Sequence, residues 1–254
     1  MEYSRFLDCL ASDFARLREV VAADLTAAVP TCPGWTTADL AHHVGEVYVH
    51  KTQAMREGAE PENWPPEGLA SEPPLTLLER SYRELVQEFA ARKPEDPTGT
   101  WYKPDQTVGF WIRRMAHETL VHRIDAELAA GQPVAEVPED LASDGIDELL
   151  KVFLAYGVDT WGSYFKDILA GSPGWSFAVQ AGGAAWRVRT APGKVTVEDG
   201  AGTGRAGVTV SGAPAAVVRW VWNREGGDGP AGVAVEGPPE AVEELRRCIV
   251  VATQ

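Results

Sequence analysis

The stretch MAHETLVHRIDAE, residues 115 to 127, sets two of the chain's five histidines beside a glutamate and an aspartate. Imidazole and carboxylate are the side chains that bind divalent metals in catalytic sites. The order of residues differs from the zinc-protease pattern HExxH. His117 and His122 are five positions apart, so on a helix they point about 140° away from each other and cannot share one ion. Glu118 and His122 are four apart, which places them about 40° apart on one face, one turn above the other.

On a helical wheel Trp111, Met115, Glu118, His122 and Asp125 fall within roughly 80° of one another, so one stripe mixes large apolar residues with two acids and an imidazole. A carboxylate buried there needs a cation, supplied by arginine or by a metal ion, because burial alone would protonate it. Further ligands are offered by DLAHHVGEVYVH, residues 39 to 50. Leu40, Val44 and Val47 define its buried face. His43 lies about 60° from Leu40 at the margin of that face, whereas His42 points nearly opposite. His43 with Glu118 and His122 would form a three-ligand set with a position open for water or substrate. Spacing alone leaves this beside a plainer reading, a local Glu–His helix pair and a hydrogen-bonded core histidine.

The elements that must position these residues can be read from periodicity. Phe6, Leu10, Phe14, Leu17 and Val21 recur at helical spacing, and this first helix should end before AAVPTCPGW. A second helix follows Thr36 or Thr37 as N-cap and runs to about Gly58. EPENWPPEGLASEPP, with five prolines in fifteen residues, is a loop. A third helix spans roughly 75 to 92, and a fourth runs from about Val108 to Ala130, stopping at GQP. A fifth helical stretch covers about 139 to 170 and could pack on either half. From WSFAVQ onward short apolar–polar alternation punctuated by glycine predicts antiparallel strands and hairpins. APAAVVRWVWNR is then helical, GVAVEG a strand and PPEAVEELRRCIV a last helix. The expected class is α+β: a four-helix bundle over residues 1–170, then a smaller α+β domain over 171–254. The glycine cluster at 200 to 207 marks a hairpin and lacks the GKS or GKT of a phosphate loop.

Composition narrows the function. An apolar fraction of 44% over 254 residues is that of a globular protein, and the net charge of −14 disfavours nucleic acid. No apolar run approaches a membrane span, and the charged first helix is unlike a signal peptide, so a cytoplasmic protein is expected. Cys9, Cys32 and Cys248 are odd in number, lack CxxC spacing and are too sparse for a disulfide framework.

CPGWTTADLAHHVGEV, followed some seventy residues later by RRMAHETLVHRIDAELAAG, resembles the mycothiol-dependent maleylpyruvate isomerase family, within the DinB-like metal-binding bundles. The resemblance covers residues 1 to about 165. It implies a metal held by His43, Glu118 and His122, a thiol cosubstrate in mycothiol, and a small-molecule electrophile as substrate. The second half resembles the α+β domain of that family, related in shape to sterol-carrier domains. In WVWNR, Asn223 stands where family members often have the glycine of a W..GR pattern. Arg224 is the matching residue for an arginine that contacts the substrate carboxylate; the alternative is a surface arginine after a helix.

The expected chemistry is that of a divalent ion, foremost Zn²⁺, keeping a thiol as nucleophilic thiolate. Addition to a cis-enedioate, rotation and elimination would give the trans isomer. Another electrophile would give a stable conjugate, making the protein a thiol S-transferase. A third possibility is a non-catalytic, metal-stabilised protein that binds an apolar ligand. A monomer or weak homo-oligomer is expected. His117 is expected in the core or in an interhelical hydrogen bond. Asp125 could orient a ligand or pair with Arg113, Arg114 or a residue elsewhere. Cys32 belongs to a tight turn, and Trp161, Trp175, Trp186, Trp220 and Trp222 are expected in the core, where several could wall a cleft.

Overall fold

The computed structural model describes residues 1–200, 202, 204–225 and 232–253. The chain divides into two compact units, Met1–Ala135 and Glu136–Gln254. The first holds four long helices: α1 (Tyr3–Ala23), α2 (Thr37–Glu57), α3 (Pro74–Ala90) and α4 (Val108–Ala129). Among the described residues no helix is long and apolar enough to cross a membrane.

The helix ends follow local chemistry. Thr36 caps α2: its side chain takes the Asp39 N–H while the Asp39 carboxylate takes the Thr36 N–H, a reciprocal capping box. Gly58 ends α2 in the left-handed conformation at φ 70°, which glycine adopts without a Cβ penalty. Thr107 caps α4 through the Phe110 N–H. Helices α1 to α3 are amphipathic, but α4 is buried on every side, from Val108 to Glu127 apart from Arg113 and Glu118, which are partly exposed. It runs through the centre of the bundle against α1 and α2, so its polar side chains need partners inside the protein.

In the second unit α5 (Glu139–Glu148) continues without a break into a π-helical segment, Leu149–Ala155, and α6 (Tyr156–Thr160). After a 3₁₀ turn and the short α7 (Lys166–Leu169) come β1 (Ser176–Ala181), β2 (Ala184–Ala191), β3 (Lys194–Asp199) and β4 (Val208–Gly212), then α8 (Pro214–Val221), β5 (Val233–Glu236) and α9 (Pro239–Thr253). The sheet order is β3-β2-β1-β4-β5. The expectation of antiparallel strands holds for β1–β2, β2–β3 and β4–β5, but β1 and β4 pair in parallel. Alternation fixes which face of a strand is buried, not its neighbour or direction. Residues 201 and 203 of the glycine cluster lie outside the described residues.

The expected boundary at 170/171 marks the change from helix to strand, whereas the compact units part at 135/136. The fifth helical stretch accounts for the difference. Leu141, Ile146, Leu149 and Leu150 are buried, with α5 against α8 and the π-helical segment against β3. Indole N–H groups fasten this stretch: Trp222 Nε1 donates to the Gly145 carbonyl at 3.0 Å and Trp186 Nε1 to Asp147 at 2.9 Å.

The helix that carries His43 is seated on α3 by a glycine. A Cβ added at Gly45 would lie 2.6 Å from Leu77 Cγ and 3.2 Å from the Leu78 backbone nitrogen. Gly45→Ala should therefore destabilise the protein by about 1–3 kcal/mol, the usual cost of overpacking, measured by denaturant unfolding. A change below 0.5 kcal/mol, the scale of a neutral surface substitution, would show that the α2–α3 contact yields without cost.

Candidate metal centre

Helices α2 and α4 face each other across the bundle and bring three side chains together. His43 Nε2 lies 3.5 Å and His122 Nε2 3.2 Å from the same oxygen, Glu118 Oε1. One nitrogen from each histidine and one glutamate oxygen lie within 4.8 Å of one another. The imidazole rings meet edge to face, with centroids 5.1 Å apart. His43 is the most exposed of the three, with 36% of its side chain accessible, and His122 the least, at 8%. The cluster is therefore closed on the α4 side and open beside α2.

Each member is fixed from behind. Glu118 Oε2 accepts a hydrogen bond from Arg114 Nη2 at 2.8 Å, so the two carboxylate oxygens have separate partners. His122 Nδ1 bonds to Asp125 Oδ2 at 2.9 Å. Asp125, fully buried, also accepts from Thr31 Oγ1 and lies 3.8 Å from Cys32 Sγ. Trp35 stacks at a tilt on His43, with centroids 4.9 Å apart. The TCPGW turn thus touches His43 and, at Asp125, the carboxylate that holds His122. A histidine whose Nδ1 proton is held by a carboxylate presents Nε2 to a metal, and two imidazole nitrogens with one carboxylate oxygen suit a divalent ion while leaving a coordination position open.

Electrostatics tie the cluster together without an ion. Burial raises the pKa of Glu118, but His122, His43 and Arg114 outweigh it and hold the carboxyl well below its ordinary value. Burial lowers that of His122, yet Glu118 and Asp125 push it up to about 9. At neutral pH the cluster is an imidazolium–carboxylate pair, and a metal ion taking His122 Nε2 would have to displace its proton.

The remaining candidates support the cluster or lie apart from it. His42 turns away, its Nε2 3.2 Å from the Leu69 carbonyl. His117 is buried, edge-on to Phe6. Asp125 pairs with His122, and Arg114 with Glu118. Of the tryptophans, Trp186, Trp220 and Trp222 are buried, whereas Trp161 is 40% exposed. Arg224 belongs to the second unit, in the turn after α8, where it is buried and donates from Nη1 to the Trp222 carbonyl at 2.8 Å. Asn223 has φ 57°, the left-handed region open to glycine and, next to it, to asparagine. Asparagine thus holds here a backbone conformation that glycine would also adopt.

Two supporting residues carry little or no sequence signal. Arg114 stands four residues before Glu118, a spacing that allows the pair without requiring it. Thr31 has no local signal, being far from Asp125 in the chain.

Comparisons with known proteins cover both units. The family model of the mycothiol maleylpyruvate isomerase N-terminal domain matches residues 7–127, and that of the MDMPI C-terminal domain matches residues 140–244. A crystal structure of the mycothiol-dependent maleylpyruvate isomerase is similar at a TM-score of 0.64 and 17% identity, over 94% of this chain and 95% of that one. A structure of a histidine-to-alanine mutant gives 0.63 and 16%, with the same coverage. At such identities the likeness is one of fold. A UbiJ-SCP2 ubiquinone synthesis protein, covering 46% of this chain and 94% of its own, has a TM-score of 0.30 at 20% identity, too low to bear on the second unit. No curated protein matches.

The shifted groups give a pH signature in metal-free protein. The folded pKa of His122 lies above its unfolded value, so its contribution is complete below about 6.5 and lost as pH rises through about 9. That of Glu118 lies below, so its contribution is complete above about 4.5 and lost only at acid pH. After chelation, the stability difference between wild type and His122→Gln should be largest between about pH 5 and 6.5 and shrink by pH 9.5. A difference independent of pH would remove the imidazolium from the cluster.

Proposed function

Because the chain belongs to the mycothiol maleylpyruvate isomerase family, we propose that it is a divalent-metal enzyme using mycothiol to isomerise maleylpyruvate or a related cis-enedioate. One observation carries the reading: the convergence of His43 Nε2, Glu118 Oε1 and His122 Nε2 between two helices. These three residues are the proposed ligands, and zinc is the proposed ion, since it accepts mixed imidazole and carboxylate ligands in four-coordinate sites with one position open. An ion bound there would lower the pKa of a thiol and favour its thiolate near neutral pH.

The protein's own residues prepare that site. Asp125 holds the Nδ1 proton of His122 and fixes its ring, while Arg114 donates to Glu118 Oε2 and fixes the carboxylate. Arg224 is the proposed contact for a substrate carboxylate; its buried guanidinium and the left-handed turn at Asn223 support this. The three cysteines form no disulfide, which fits a reducing cytoplasm as the proposed location.

Metal analysis of the purified protein should give one divalent ion per chain, removable by a chelator. His43→Ala, Glu118→Ala and His122→Ala should each weaken binding by more than the 10- to 100-fold loss, roughly, that follows removal of a ligand's hydrogen-bond partner. His42→Ala should bind as wild type; if it alone abolishes binding, the assignment is wrong. With metal and mycothiol present, maleylpyruvate should turn over, and Arg224→Ala should lose activity while keeping its metal. In cobalt-substituted protein, mycothiol should produce a sulfur-to-metal charge-transfer band at neutral pH. A spectrum unchanged at saturating mycothiol would remove the thiol from the site.

A further inference from the structure

Two turns along α2 from His43, the half-buried Lys51 points to the same helix, α4, that carries the other members of the cluster. Its Nζ lies 4.8 Å from the centroid of the Trp111 ring, over the ring face, and 3.0 Å from His50 Nδ1. Both of these partners are uncharged. Burial, with Lys51 adding to it, lowers the His50 pKa to about 4, leaving a neutral imidazole. Glu60 lies 3.3 Å from its Nε2, so the proton sits on Nε2 and the Nδ1 lone pair accepts from the ammonium.

Among the described residues no carboxylate lies within ion-pair distance of Lys51 Nζ. Several other buried or half-buried cations of this acidic chain meet carboxylates. Lys151, also half-buried, has Asp147 at 2.5 Å and Asp199 at 2.6 Å; Arg114 has Glu118 and Arg123 has Asp13 and Glu127. Burial pushes the Lys51 ammonium below its ordinary pKa; Arg114 adds to this, and Glu60 and Glu118 oppose it. Lys51 is therefore close enough to the cluster to feel Glu118 and Arg114, yet neither neutralises it by contact.

The helix pair sets the distance. His43 faces Glu118 and His122, and Lys51 faces Trp111, so α2 and α4 run in opposite directions. At 1.5 Å per residue, His43 to Lys51 spans about 12 Å and Glu118 to Trp111 about 10 Å. Lys51 and Trp111 thus lie about two turns from the cluster along one seam, with Arg114 between. A cation left with uncharged partners in a partly desolvated position gains most from an anion brought by a ligand.

We propose that Lys51, held over Trp111 by His50, is a subsite for the carboxylate of an elongated anionic ligand whose other end reaches the His43, Glu118 and His122 cluster. The proposal rests on the reading of that cluster as the catalytic centre and names the ligand class as acyclic dicarboxylates. Lys51 is thereby a specificity-determining residue, and a cation–π contact serving the fold alone is the competing account.

The test uses the full, metal-loaded chain and heptanedioate as an unreactive probe, with Kd measured by calorimetry for wild type, Lys51→Met and Lys51→Arg. Lys51→Met should retain one ion per chain and weaken the probe at least about tenfold, equivalent to about 1.4 kcal/mol. Lys51→Arg, which keeps the charge, should stay within about threefold of wild type. Equal affinity in wild type and Lys51→Met overturns the subsite, as does absence of measurable probe binding to wild type. Loss of metal in both variants assigns Lys51 to the fold and overturns it too. Because binding is read without turnover, probe discrimination in a protein inactive on maleylpyruvate would fail the proposed reaction while supporting the subsite.

Discussion

A carboxylate enclosed between helices must have both oxygens satisfied by donors or cations, and Glu118 is placed under that constraint by the course of α4. One oxygen meets Arg114 from its own helix and the other meets His122 and His43. The first pairing follows from helical periodicity. The second requires α2 to lie at a fixed height and rotation, so the seat of α2 on α3 at Gly45 and the capping box at its start are conditions for the site. Packing and chemistry meet here: overpacking that lifts α2 would also move His43 away from its partners.

The same rule organises the rest of α4. Near its C-terminus the buried Arg123 bonds to Asp13 of α1 at 3.1 Å and to Glu127 at 2.7 Å, and Glu127 also accepts from Arg16 at 2.9 Å. This network binds α4 to α1, as the cluster binds it to α2. Buried pairs of this kind stabilise little relative to apolar packing, but losing one partner leaves an uncompensated charge at a cost of about 3–5 kcal/mol. They thereby fix the register of a helix whose uniform burial would otherwise define no preferred face. Between cluster and network, Thr31 and Cys32 reach Asp125 from the turn before α2, linking a loop to the orientation of His122.

In the second unit, order depends on aromatic side chains with one polar atom. The indoles of Trp186 and Trp222 bury their rings and use their single N–H to hold α5 at Asp147 and Gly145. The turn after α8 is secured by Arg246, whose guanidinium bonds to the Trp220 carbonyl, Asn223 and Glu225. Arg246 thus fixes the strained position that precedes Arg224, and Asn223 gains from its side chain a contact that glycine in the same place could not make.

Periodicity and punctuation were enough to place the four helices of the first unit, the N-cap of α2, the stops of α2 and α4, and His43, not His42, on the side that meets Glu118, because these depend on side chains within one or two turns. The three residues of the cluster were legible for the same reason, with the family resemblance supplying the metal-binding role proposed for them. Tertiary structure alone decided what lies between distant segments: that Thr31 and Cys32 meet Asp125, that β1 and β4 run in parallel, and that α5 joins the sheet unit. Each depends on which surfaces are apposed after folding, and the local alternation of polar and apolar residues, which sets the buried face of an element, does not specify what covers that face.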